Sequence, residues 1–159
     1  MYSKILVPLD ASTVAEAALP HVAGNALAHD AAVHLLQVID PADMTSPLLR
    51  NTLELLTSVG EPDRTAAFEA WAQSAEEYLA DVARRLREQG VREVTTHVVR
   101  GNPYELIGRE VTEAGCDLVI IATHGRGGFG RALTGSVADH LVRHTPDAAV
   151  LVVRPTPER

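Results

Sequence analysis

One cysteine in 159 residues, Cys116, is too few for an internal disulfide framework or a cysteine-based zinc cluster. It stands just before an apolar run and reads as a small core residue. Positive charge is also scarce. Fourteen Lys and Arg against 21 Asp and Glu leave a net charge of −7, and no basic face offers itself to a nucleic-acid backbone. Long apolar runs are missing too. Nowhere do eighteen apolar residues follow one another, which excludes a helical membrane span. Met1-Tyr-Ser-Lys4 passes straight into Ile5-Leu-Val, without a basic n-region, an apolar h-region or a cleavage site. A cytoplasmic protein is expected.

What remains is an ordinary globular balance, 46% apolar and 22% charged, at a length that fits one domain with a substantial core. Five short runs rich in Val, Ile and Leu punctuate the chain: Ile5–Leu9, Ala32–Ile39, Val94–Val99, Asp117–Ala122 and Ala148–Val153. Most lack strict polar alternation, as do strands covered on both faces of a parallel sheet. Helical patterns lie between them. Thr13-Val-Ala-Glu16 has capping-box spacing, and its helix is predicted to reach about His29. A long alanine-rich helix is predicted over 63–89, with Asp81/Arg85 and Arg84/Glu88 at i,i+4 spacing and Gly90 as its stop. Trp71 and Tyr78 share one of its faces and read as packing residues. Asn102-Pro-Tyr-Glu105 sets a cap, a first-turn proline and an acidic third position in helix-starting order. A last helix runs from Ser136 to His144, and Pro146 stops it.

The β-α alternation predicts a single α/β domain over 1–155, three layers around a five-stranded parallel sheet. Residues 40–62 read as an insertion, a loop in which a short amphipathic helix is expected, either a lid or a partner surface. Residues 156–159 are a tail.

The segment 122–136 leaves the fourth apolar run as a glycine-rich loop and enters the last helix. That arrangement presents backbone N–H groups and a helix N-terminus to an anion, usually a phosphate. It holds two overlapping patterns. Gly125-Arg-Gly127-Gly-Phe-Gly130 matches the dinucleotide fingerprint, but that fingerprint belongs in the first βα turn, with an acid about 20 residues later. Here the next strand ends in Val152-Val153-Arg154. The wider pattern is Gly125, nine residues, then Gly135-Ser136, where Gly135 permits close backbone approach and Ser136 offers a hydroxyl and an N–H. Arg126 or Arg131 would add charge. The plain alternative is a connection with a serine cap. Asp10 stands just after the first strand, in Val7-Pro-Leu-Asp10-Ala-Ser12. With strand order 3-2-1-4-5 the winding reverses between strands one and four, so Asp10 and the glycine loop would flank one crevice. A carboxylate there suits ribose hydroxyls or a base; its plain alternative is a helix cap.

These residues give the chain a resemblance to the universal stress proteins, ATP-binding subgroup. The resemblance runs through Lys4-Ile-Leu-Val-Pro-Leu-Asp10, Leu35-Leu-Gln-Val-Ile-Asp40, Val99-Arg-Gly-Asn-Pro103, Ile120-Ile-Ala-Thr-His-Gly125, Gly135-Ser-Val-Ala138 and Ala149-Val-Leu-Val-Val153. The family's G-x-x-G-x9-G-[S/T] reads Ala122-x-x-Gly125-x9-Gly135-Ser136 here, with one glycine replaced by alanine. The resemblance implies an adenine nucleotide (ATP, or AMP or ADP), with or without Mg2+. Asp10 and the backbone at Pro8 and Leu9 would hold ribose or adenine, and the Val38 main chain the adenine edge. Ala122, Gly125, Arg126, Gly127, Gly135, Ser136 and Val137 would surround the phosphates. It also implies a homodimer through the edge strand 148–153. The long glycine loop itself leads to the expectation of a switch, in which phosphates order residues 123–134 for a protein partner to read. No catalytic set is assigned. A slow ATPase and a nucleotide-independent interaction module stay open. His124 would touch phosphate or pack the loop, and the pair His140/His144 lacks an evident third ligand for a metal.

Overall fold

The computed structural model describes residues 1–41, 64–123 and 136–155. The elements are β1 (Lys4–Pro8), α1 (Thr13–Glu16), α2 (Leu19–His29), β2 (Ala32–Ile39), α3 (Arg64–Glu88), β3 (Val94–Arg100), α4 (Pro103–Glu113), β4 (Leu118–Ala122), α5 (Ser136–His144) and β5 (Ala149–Val153). All five strands run parallel in the order β3-β2-β1-β4-β5, as expected from the sequence. The insertion 40–62 beyond residue 41 and the tail 156–159 lie outside the described residues.

The strand pattern follows from two cores on one sheet. Ile5, Val7, Val33, Leu35, Leu118 and Ile120 face α2 and α3, while Leu6, Leu36, Val119 and Ile121 face α4 and α5. Successive side chains alternate faces, and both faces of β1 and β4 are buried, so those runs lack polar alternation, while β2 carries two buried polar residues, His34 and Gln37. In α3, Ala75, Leu79, Val82, Ala83 and Leu86 form the buried stripe. Tyr78 packs beside it, while Arg84 pairs with Asp81 and Glu88 on the wet side. The helix ends where Gly90 turns to φ 102° and Val91 N–H donates back to Leu86 O (3.1 Å). Cys116 is buried as expected, and burial raises its thiol to about 11.

The first helical region differs from the sequence expectation. Ser12, not Thr13, is the cap, its Oγ accepting the Ala15 N–H (3.1 Å). Glu16 turns away to accept from Nη1 and Nη2 of Arg85 (3.1 Å each). The run divides into α1 and α2 because Pro20 has no N–H and its ring opposes the carbonyl of Glu16, four residues back.

Candidate functional site

The site begins where two strands part. β1 pairs with β2 as far as Pro8, but its pairing with β4 covers only Ile5↔Leu118 and Leu6↔Val119. Leu9 N–H donates to Leu36 O on β2 (2.8 Å), so backbone alternation turns residue 8 toward β4. Proline has no N–H to give there, and the ladder stops. The gap opens into a cleft of about 420 Å³ at the carboxyl ends of the strands, at the point where the winding reverses.

Of the sequence-predicted residues, Pro8, Leu9, Asp10, Val38, Ala122 and Val137 line this cleft. Residues more than eighty positions apart in sequence are thus neighbours. Ser136 opens α5 beside it. Gly125, Arg126, Gly127 and Gly135 lie outside the described residues, as do His124 and, apart from Thr123, the segment predicted to order on phosphate binding. The sequence reading did not assign Ser12, Leu36, Asp40, Pro103, Tyr104, Ile107, Ile121 or Thr123, which also line the cleft. Their signal was positional: each lies within a few residues of a strand's carboxyl end or in the first turns of a helix.

The first turn of the site is held locally. Ala11 adopts the left-handed conformation (φ 62°), Asp10 Oδ1 accepts the Ser12 N–H (2.9 Å), and Ser12 caps α1. Asp10 is therefore not the helix cap; it forms the turn that precedes the cap. Across the cleft, Asn102 caps α4, its Oδ1 accepting the Tyr104 N–H (2.9 Å). Tyr104 meets His140 edge-on at 5.5 Å, and His140 stacks on His144 at 4.3 Å. His144 Nδ1 also lies 2.9 Å from the His140 carbonyl, so this pair is engaged with its own helix. Ala122 ends β4 in extended conformation, paired with Val153. Position 122 therefore does not need the positive φ for which glycine is suited.

Chemically the cleft has two characters. Leu36, Val38, Ile107 and Ile121 make an apolar floor, while Asp10, Ser12, Asp40 and Thr123 supply carboxylates and hydroxyls at the wall. The start of α5 contributes the positive end of a helix dipole.

Comparison with known proteins agrees with this architecture. The model of the universal stress protein family matches residues 1–154. This chain belongs to the universal stress protein family. A universal stress protein of Methanocaldococcus jannaschii is 30% identical over 160 residues, covering 97% of this chain and 96% of the relative. In a solved structure of that relative, the TM-score is 0.77 at 27% identity, over 99% of both chains. Two more distant universal stress proteins share the fold at 17% identity. One, in complex with cAMP, has a TM-score of 0.68 over 98% of both chains. The other, from Arabidopsis thaliana with AMP bound, has a TM-score of 0.62 over 98% of this chain and 93% of its own. No helix among the described residues of this universal stress protein is long and apolar enough to cross a membrane.

Proposed function

We propose that this universal stress protein binds an adenine nucleotide in the β1/β4 cleft and acts as a nucleotide-dependent switch rather than as an enzyme. The observation that carries the reading is the cleft itself. An apolar floor suits a planar base, and Asp10 at the wall suits ribose hydroxyls. Thr123 at the wall and the start of α5 are joined in sequence by the Gly125-x9-Gly135-Ser136 pattern, a composition that suits phosphates. Asp10 spends one oxygen on Ser12, but a carboxylate has lone pairs enough to accept two ribose hydroxyls besides. Family members with cAMP and AMP bound are in keeping with this ligand class. ATP is the fuller ligand for the glycine pattern, with Mg2+ as its companion ion.

Calorimetric titration with ATP, AMP and cAMP tests the reading. We expect one site, with affinity reduced about tenfold in Asp10→Ala, the loss of a charge-assisted hydrogen bond. Absence of binding by all three at millimolar concentration would reject it and leave a nucleotide-independent interaction module. Steady phosphate release would replace the switch by a slow ATPase. If the switch holds, ATP slows hydrogen exchange in residues 123–134. The same reading includes a homodimer through β5, whose edge exposes Ala149 and Leu151.

A further inference from the structure

We propose that His34, His97 and Glu110 form a binding site for a divalent transition metal of the zinc class, separate from the nucleotide cleft. The parallel register sets His34 opposite Thr95 and Leu36 opposite His97, so the two histidines stand diagonally on one face of the sheet. That face is covered by α4, whose Ile107 and Val111 enter the core while Glu110 descends between the two rings. His34 Nε2 and His97 Nδ1 each lie 2.8 Å from the same oxygen, Glu110 Oε1. The rings are tilted at 55° with centroids 6.2 Å apart, so they meet through their nitrogens rather than their faces.

The dimensions suit an ion. The three ligand atoms lie within 4.8 Å of one another. Bonds near 2.1 Å in tetrahedral array place ligand atoms about 3.4 Å apart. The two 2.8 Å contacts would open by roughly half an ångström, the one to His97 by rotation of its half-exposed ring and the one to His34 by a small turn of the Glu110 carboxylate. His34 is oriented as metal-bound histidines are: its other nitrogen, Nδ1, lies 2.7 Å from Thr95 Oγ1, which can take the Nδ1 proton and leave the Nε2 lone pair inward. Two imidazoles and a carboxylate are a borderline donor set, suited to zinc rather than to calcium or magnesium. Three protein ligands are one short of a closed structural site, which leaves the fourth position to water on the His97 side. The burial points the same way. His34 and Glu110 keep only 10% and 8% of their side-chain surface exposed, and packing alone is served as well or better by apolar residues.

The test uses the full chain without an affinity tag, dialysed against chelator and titrated with Zn2+ alone. The expected result is one equivalent bound and a raised thermal midpoint. Affinity falls about tenfold or more in His97→Ala and in Glu110→Gln, and is unchanged in His144→Ala. His97 lies half-exposed on an edge strand, so its variant keeps the fold and carries the test even if Glu110→Gln does not fold. No binding to the wild-type chain, binding that His97→Ala leaves intact, or binding lost in His144→Ala overturns the proposal. None of these readings involves nucleotide.

Discussion

Asp117 joins two strand starts that lie over a hundred residues apart. Its carboxylate accepts from the Ser3 N–H (2.8 Å), the Ser3 hydroxyl (2.7 Å) and the Lys4 N–H (3.0 Å), while its own N–H donates to Lys4 O (3.0 Å). Partial burial pushes the carboxyl up, but the Ser3 hydroxyl and the backbone N–H groups outweigh it and hold the group below the usual carboxylate range. Asp117→Ala should cost about 1–2 kcal/mol at neutral pH, measured by urea denaturation. A carboxyl with a lowered folded-state value stabilises fully above its unfolded value, near 4, and loses that contribution as pH falls through the folded one. The gap between wild type and variant should therefore narrow below about pH 4. Sequence alone gave Asp117 as the first residue of a strand. Its role as a clamp depends on which strand lies alongside, and no local pattern encodes that.

At the scale of elements, the turn into α4 carries its own instructions. Gly101 sits at φ 146°, where a β-carbon would come within 2.9 Å of Leu106 Cδ1. Asn102 caps, and Pro103 fills the first helical position, where no N–H is required. Asn102→Ala should cost about 1 kcal/mol and lower the thermal midpoint by about 2–4 °C, read from thermal unfolding. This helix start was legible because capping chemistry is local. So were the ends of α3 and α5 and the extent of β2. The break at Pro20 and the cap at Ser12 were not. Thr13 and Glu16 have the spacing of a capping box, yet Arg85, 69 positions away, takes the Glu16 carboxylate, and tertiary pairing overrides the local pattern. The trio at 34, 97 and 110 carries no motif spacing at all. Only the strand register and the helix above it bring those residues together.

For the whole molecule, the two edges of the sheet are unlike. β3 leaves Thr95, Thr96 and His97 partly exposed, polar side chains that blunt an edge. β5 offers Ala149 and Leu151 instead, Leu151 with 37% of its surface exposed. An apolar edge of this kind recruits another strand. Sedimentation at micromolar concentration should give a dimer for the wild-type chain and a monomer for Leu151→Lys; a monomeric wild type would contradict the proposed pairing. The cleft was legible at this scale only as an inference from strand order. The reversal between β1 and β4 makes neighbours of Asp10 and the start of α5; β-α alternation alone gives a parallel sheet but not its strand order, so the expectation held only with the order 3-2-1-4-5 supposed. The floor residues Leu36 and Ile121 were seen in sequence only as members of apolar runs, and Ile107 was not singled out, since period alone does not say which of two buried faces opens onto a ligand.

Ala11 has one further consequence. A non-glycine residue in the left-handed region costs about 1–2 kcal/mol, and here the bonds of Asp10 and Ser12 offset that cost before any ligand arrives. The entropy of shaping this turn is spent in folding. A molecule entering the cleft meets a carboxylate already aimed, and the free energy of its contacts goes into affinity rather than into building the wall it touches.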